Sequence, residues 1–429
     1  MESPVDHNQC RGVYLPGNSV SVGGRKWSGG ALNGWARNAL IRLGQHLQWG
    51  TVVIRENGEE LCFGQCGQGG PSVRIDILHP RFWKRVLFSG QIGAGEAYMD
   101  GDWTTDDLFG LVRIAVRNQQ IMAGIERGWR WLTKPMEMVR HALRSNTRSG
   151  SRINISAHYD LSNDFFATFL DPTLTYSCGV FETPEATMEE ASAAKYDRIC
   201  RKLALTPEDH VVEIGTGWGG FAMHAARKYG CRVTTTTISE QQYRLASERI
   251  RGAGLGGRVQ VLLQDYRDLR GRFSKLVSIE MIEAVGHRFL GKFFEVCSGL
   301  LAPDGVMAIQ AITVPDQAYA QSVRDVDFIK RYIFPGGQCP SVAAMLEAVR
   351  DRTDLRLYGL EDLTEHYTTT LLRWRETFLK GLDQVRSLGF DDRFIRMWDF
   401  YLMLCAGSFA ERYTGLVQMV FVKPGYRVG

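Results

Sequence analysis

No stretch of the 429 residues approaches the run of about 18 apolar residues that a bilayer-crossing helix needs. The opening residues, MESPVDHNQC, lack the basic region and apolar stretch of a signal peptide. Both absences predict a protein that stays in the cytoplasm. Cysteine is scattered and odd in number, nine in all, at Cys10, Cys62, Cys66, Cys178, Cys200, Cys231, Cys297, Cys339 and Cys405. That spacing excludes a disulfide framework and predicts mostly reduced, buried thiols. Cys62 and Cys66 are the nearest approach to a metal pair, but no second cysteine or histidine pair follows, so no metal site is expected. Internal repeats and low-complexity tracts are also missing, which sets aside solenoids and arrays.

What is present is the composition of a globular chain, 44% apolar and 23% charged, too long for one ordinary domain of roughly 100–200 residues. Two domains are therefore expected. The net charge is only +4, yet the stretch from Gln120 to Arg152 carries seven basic residues (Arg127, Arg130, Lys134, Arg140, Arg144, Arg148, Arg152) against Glu126 and Glu137. Trp129, Trp131, Leu132, Met136, Met138, Val139 and Leu143 interleave with those charges. This is the composition of an element that lies on an anionic bilayer, and equally of a solvated interdomain helix and linker broken at Pro135.

Upstream of that stretch, TVVIRENGEELCFGQ, SVRIDILH and FWKRVLFSG read as short strands or strand-and-helix pieces between glycine-rich turns, a small α+β unit. The polar segment TRSGSR places the domain border near residue 150, giving a small domain with its basic linker over 1–150 and a catalytic domain over 151–429. After residue 195 the pattern alternates strand and helix. VVEIG, CRVTTTTIS, VQVLLQD, KLVSIEM and VMAIQAI are strands, with helices over Phe221 to Tyr229, Glu240 to Ile250 and in FLGKFFEVCSGLL. These crossovers predict an α/β fold with a parallel, doubly wound sheet.

The informative element is VVEIGTGWGG, residues 211–220, where an apolar strand runs into a glycine-rich turn and then a helix. Gly215, Gly217 and Gly219 let backbone approach a ligand at the sheet's C-terminal edge. Gly215, Gly217 and Gly220 also fit a dinucleotide fingerprint. Glu213 before the turn can pair with a ligand amino group, and Asp265 closing the third strand can accept from an adenine amine. Both suit S-adenosylmethionine. Trp218 occupies the turn itself, and the second strand ends in Thr237, Ser239, Gln241 and Gln242, although Ser239 has the alternative of capping the next helix.

YSCGVF (176–181), VVEIGTGWGG (211–220), TTTTISEQQ (234–242), SIEMIEAVGH (278–287), RYIFPGG (331–337) and CAGSF (405–409), taken with GEAYMDGDW near residue 90, resemble the cyclopropane fatty acid synthase family, which includes the mycolic acid cyclopropane synthases. The resemblance implies a Rossmann-like class I S-adenosylmethionine methyltransferase sheet with a smaller N-terminal α+β domain. It implies that Tyr176, Ser177, the turn, Thr237 to Gln242 and Tyr266 touch S-adenosylmethionine. It also implies that Cys178, Glu283, Ile312 and Tyr367 surround a bicarbonate. Two positions depart from the family pattern. Gln310 stands where many members have His, in AIQAIT, and an amide cannot carry a proton near neutral pH. Glu280 stands in place of Gly, bringing a second carboxylate near Glu283.

In the family's reaction a cis double bond of an acyl chain attacks the sulfonium methyl, and the resulting cation loses a proton and closes to a three-membered ring. Alignment in a dry site and aromatic faces would lower that barrier, with Tyr176, Phe165, Phe166, Tyr332, Phe334 and Tyr401 as the supply, two or three of them lining an acyl tunnel and the rest packing the core. Bicarbonate would be the base, with Glu283 accepting its hydroxyl hydrogen, Tyr367 donating, and backbone amides near Cys178 completing the site. His158 and His287 are bases by type but read more readily as structural. The substrate implied is an unsaturated phospholipid in a bilayer, met by peripheral docking at the inner membrane face. The small domain would assist lipid access or homodimer pairing, and no nucleic acid is expected. A lipid C-methyltransferase giving methyl-branched or methylene products, a small-molecule N-methyltransferase, and a non-catalytic lipid- or cofactor-binding protein remain as alternatives.

Overall fold

The computed structural model describes residues 31–64, 69–119 and 162–427. The chain divides into two compact units, Met1–Glu137 with Gly389–Glu411, and Met138–Leu388 with Arg412–Gly429. The border expected near residue 150, the basic stretch from Gln120 to Arg152, His158, Cys10 and Cys66 all fall outside the described residues.

In the first unit, β1 (Thr51–Glu56), β2 (Glu59–Gly64), β3 (Ser72–Ile77) and β4 (Trp103–Thr105) form a sheet in the order β2-β1-β3-β4. The β1–β2 hairpin turns on Asn57 and Gly58, both at positive φ, the backbone that a tight hairpin requires. FWKRVLFSG lies in a helix, Arg81–Met99. A second helix spans Leu108–Arg117, and a third, Asp392–Ala410, returns from the far end of the chain. The linear division into 1–150 and 151–429 does not contain that return. The reason is packing over long sequence separation. Gly407 lies so close to Val112 that a Cβ there would meet Val112 Cγ1 at 2.5 Å. Tyr98 donates to Asp399 at 2.7 Å, and Glu411 accepts from Arg113 and Arg117.

The second unit is built on seven strands, β5 (His210–Ile214), β6 (Arg232–Thr237), β7 (Val259–Leu263), β8 (Phe273–Ile279), β9 (Leu301–Thr313), β10 (Arg356–Asp362) and β11 (Gly415–Val422), in the order β10-β11-β9-β8-β5-β6-β7. The five predicted strands form β5 to β9 and are parallel. β11 runs antiparallel between β9 and β10. Alternate strand residues feed two apolar layers, as the period of two demands. Val211, Val233 and Val277 face one layer with Tyr196, Ile199 and Phe221. Val212, Ile214, Leu276 and Ile309 face the other with Phe293, Phe294 and Met345. This is the expected α/β sheet of class I methyltransferases. Its order reverses between β5 and β8, so the loops at their C-terminal ends open a crevice there.

Candidate functional site

At the tip of β5 the chain enters the glycine turn. Gly215, Gly217 and Gly219 have φ of +102°, +51° and +87°, so the turn needs residues without a Cβ. A Cβ at Gly215 would also press on Met281 at 3.1–3.2 Å. Glu213, 2% exposed, points a carboxylate into the protein with Oε2 lacking any partner. Burial pushes its carboxyl up to about 8, opposed by Thr235 and by the charge of Lys195. An orphaned buried carboxylate beside a backbone cradle fits a ligand that brings its own cationic donor, such as the ammonium group of S-adenosylmethionine.

The other predicted donor-site residues surround this point by distinct local causes. Trp218 Nε1 donates to Asn163 at 2.8 Å, and Arg249 holds the Trp218, Thr173 and Pro172 carbonyls, tying the turn to the loop before Tyr176. Ser177 accepts from Lys195 Nζ at 2.6 Å. Ser239 does cap the next helix, accepting from the Gln242 amide, while Thr237 donates to Gln242 Oε1 at 2.8 Å. Asp265 is engaged by Arg267 through both oxygens, at 2.8 and 2.6 Å, so an adenine amine would share it rather than find it open. Tyr266 packs edge-on against Phe293.

A second cluster lies where the loop after β8 meets β9 and the helix Thr364–Lys380. That helix places Tyr367, Thr370, Trp374 and Phe378 on one buried face, at spacings of three and four residues. Thr370 accepts from the Gly179 amide at 3.1 Å and so pins the YSCGVF loop to the helix. Glu280 receives three donors: the Cys178 amide at 2.9 Å and Gln310 Nε2 at 2.7 Å on Oε1, and the Tyr367 hydroxyl at 2.5 Å on Oε2. Glu283 accepts from the Ile312 amide at 2.6 Å, while its Oε2 is buried without a partner. Burial, then the Glu280 charge, pushes the Glu283 carboxyl up to about 8. Burial also raises Glu280, but Lys195, Tyr367, Gln310 and the Cys178 amide all oppose the rise.

Cys178, Glu283, Ile312 and Tyr367, the set that resemblance implies around bicarbonate, are thus brought together, with Gln310 beside them. The donors of that set are turned onto Glu280 and Glu283 themselves, so the cluster does not fit a bound anion. The Cys178 thiol is buried and raised well above its ordinary range, and its amide is the group that points at Glu280.

Between the clusters stands an aromatic wall. Tyr176 lies 5.1 Å from Phe166, 5.3 Å from Trp374 and 6.5 Å from Phe334, ring centre to ring centre. Phe165 backs it from the core, packed on Phe166, Phe169 and Phe378. Tyr332 packs on Phe328, and Tyr401 belongs to the first unit, against Trp398. His287 is a surface group bonded to Tyr319.

Three residues escaped sequence reasoning. Lys195 is fully buried on the inner stripe of the helix Met188–Lys202, and burial lowers its ammonium to about 8 against the pull of Glu280 and Glu213. A lysine in step with Ala191, Ser192, Tyr196 and Ile199 was the available signal. Trp374 had the same kind of signal in its helix, whereas Gln418 had none, because its place depends on strand register.

The profile of the family described as mycolic acid cyclopropane synthetase matches residues 146–419. The chain is 38% identical over 349 residues to tuberculostearic acid methyltransferase UfaA1 of Mycobacterium tuberculosis, covering 80% of this chain and 81% of that one. It is 36% identical over 371 residues to cyclopropane-fatty-acyl-phospholipid synthase of Escherichia coli, covering 84% and 91%. The crystal structure of mycolic acid cyclopropane synthase CmaA1 complexed with SAH and CTAB superposes with a TM-score of 0.59 at 32% identity, over 63% of this chain and 98% of that one.

Proposed function

The chain belongs to the mycolic acid cyclopropane synthetase family of S-adenosylmethionine-dependent methyltransferases, and from that membership we propose that it adds a methylene across a cis double bond of a phospholipid acyl chain. The observation that carries the reading is the adjacency of the Glu213 glycine turn, an aromatic wall and a buried carboxylate cluster at one edge of one sheet. When bound, S-adenosylmethionine supplies an electrophilic methyl carbon. Glu213 would hold its ammonium end, with the 215–219 backbone, Tyr176 and Ser177 along its length and Thr237, Gln242, Asp265 and Tyr266 toward the nucleoside. Lys195 fixes Ser177, and Arg249 fixes the turn. Tyr176, Phe166, Phe334 and Trp374 offer ring faces to a cationic acyl carbon and exclude water that would capture it.

Incubation of the protein with S-adenosylmethionine and vesicles of monounsaturated phospholipid tests the reading. Mass spectrometry should show acyl chains gaining one CH₂, and proton NMR should show cyclopropyl protons. Unchanged acyl chains would sink it. A second ending, a lipid C-methyltransferase giving a methylene or methyl branch, is favoured by the similarity to tuberculostearic acid methyltransferase. A methylene branch has the same mass as the ring, so the NMR spectrum separates the two.

The acyl chain has to be met at a bilayer. No helix among the described residues is long and apolar enough to cross one. Peripheral docking is therefore part of the proposal, supported by the composition of the Gln120 to Arg152 stretch.

A further inference from the structure

Resting on the placement of S-adenosylmethionine just proposed, we infer that Lys195, with Ser177, binds the carboxylate of the donor's amino-acid end, opposite Glu213, which takes its ammonium. Three polar groups at this corner of the second unit have bonding capacity left over. Lys195 is fully buried, and a lysine ammonium carries three N–H donors and no acceptor. One N–H goes to Ser177 Oγ at 2.6 Å, and the Tyr196 ring, its centre 4.4 Å from Nζ, takes a second over its face. The third meets no acceptor among the described residues. Because lysine can only donate, Ser177 Oγ is the acceptor in that contact and keeps its own hydroxyl hydrogen to give. No described residue takes that hydrogen, and Ser177 is buried. Glu213 Oε2 is the converse case, a buried acceptor without a donor.

Two unspent donors and one unspent acceptor are the mirror image of an α-amino acid head, whose carboxylate accepts and whose ammonium donates. Lys195 and Glu213 feel each other's charge, yet Glu213 Oε2 stays unpaired, so the fold holds the two apart. Opposite charges left buried and unpaired are costly, and a zwitterionic head between them satisfies both. That head adds no net charge to a corner where Glu280, Cys178, Asp171 and Glu213 already face Lys195. Burial outweighs all four and lowers the Lys195 ammonium to about 8, so a carboxylate brought within hydrogen-bond reach would restore what desolvation removes.

The helix Met188–Lys202 puts this lysine where both halves of the donor site meet. Its next residue, Tyr196, presses on the glycine turn, since a Cβ at Gly220 would meet the Tyr196 hydroxyl oxygen at 2.5 Å. The same hydroxyl lies 2.7 Å from Thr175 Oγ1, at the start of the loop that carries Tyr176 and Ser177. One turn of one helix therefore touches the turn after Glu213 and the 175–177 loop together.

Isothermal calorimetry on the full chain tests this without any lipid. The probes are S-adenosylmethionine, its decarboxylated form, which lacks only the carboxylate, and 5′-methylthioadenosine, which lacks the whole amino-acid end. The wild type should bind S-adenosylmethionine about 10–100-fold tighter than the decarboxylated form, the scale of charge-assisted hydrogen bonds. Lys195→Met should lose that preference, weakening by about 10–100-fold toward S-adenosylmethionine and by less than about threefold toward the other two probes. Ser177→Ala should lose a smaller part of it. Equal affinity of the wild type for the two sulfonium probes would overturn the inference, and this arm depends on no variant folding. So would a Lys195→Met protein that weakens toward all three probes alike, the mark of a mere brace for the loop, or toward none. The ammonium placement fails separately. If Glu213→Gln binds S-adenosylmethionine as the wild type does, the ammonium lies elsewhere, while a carboxylate preference that depends on Lys195 would still uphold the inference.

Discussion

Gln310 Nε2 lies 2.7 Å from Glu280 Oε1 and donates to it. The orientation of that amide is set one strand away, because β9 and β11 pair with Gln418 directly opposite Gln310. Both glutamines are almost fully buried, at 1% and 2% exposed, so neither can turn to water instead.

Gln418→Leu should therefore behave as a positioning defect. It leaves Gln310 Oε1 without its donor, a loss of about 1–3 kcal/mol in stability. It also frees the amide to flip its oxygen toward Glu280. Turnover should fall roughly tenfold with KM for S-adenosylmethionine unchanged, and Gln418→Asn should recover less than Gln418→His if a donor's reach is what counts. Equal loss in kcat and in donor affinity would argue for general disruption.

Glu213→Gln keeps the shape of the side chain and removes its charge. If the orphaned Oε2 meets the ammonium of S-adenosylmethionine, affinity should drop by about 10–100-fold, the worth of a charge-assisted hydrogen bond. Calorimetry with SAH measures this without any lipid, and unchanged affinity would remove Glu213 from the donor site.

Glu213 and Glu283 are both raised by burial from 4.5 to about 8. A carboxyl with its folded pKa above its unfolded one stabilises the fold most at low pH, and that contribution is lost as pH climbs from about 4.5 through about 8. Lys195, lowered to about 8, is protonated in both states through most of this window and adds little slope there. The ligand-free protein should consequently melt roughly 5–10 °C lower at pH 8 than at pH 6, for a loss of about 3 kcal/mol. The double variant Glu213→Gln, Glu283→Gln should flatten the dependence, and a wild-type melting temperature that rises over this range would contradict it.

Replacement of Tyr176 should separate ring from hydroxyl. Tyr176→Phe retains the face that stands 5.3 Å from Trp374 and should keep turnover within about threefold, whereas Tyr176→Leu should lose about tenfold, in keeping with cation–π energies. The reverse order would point to the hydroxyl.

Charge reversal of Arg140, Arg144 and Arg148 to Glu should weaken co-sedimentation with anionic vesicles, and raised salt should weaken the wild type in the same direction. Binding that is indifferent to both would assign the stretch to a linker.

Elements whose causes are local are legible in the amino-acid sequence. Short apolar runs alternating with helical stretches predicted β5 to β9, and the Glu213 to Gly219 turn announced its ligand edge because left-handed backbone there demands glycine. Composition at 176–181 and 278–287 marked the segments that matter, yet not their mutual orientation. Only the assembled fold brings the donors of residues 178, 310 and 367 onto Glu280. Those partners are 30 to 102 residues away, and strand register and one helix face place them, which no local pattern encodes. The same holds for β11, whose antiparallel insertion sets Gln418 on Gln310, and for the helix Asp392–Ala410, whose apolar face is satisfied in the first unit. Local propensity chooses the element, but only burial in the assembled core selects which polar side chains must meet.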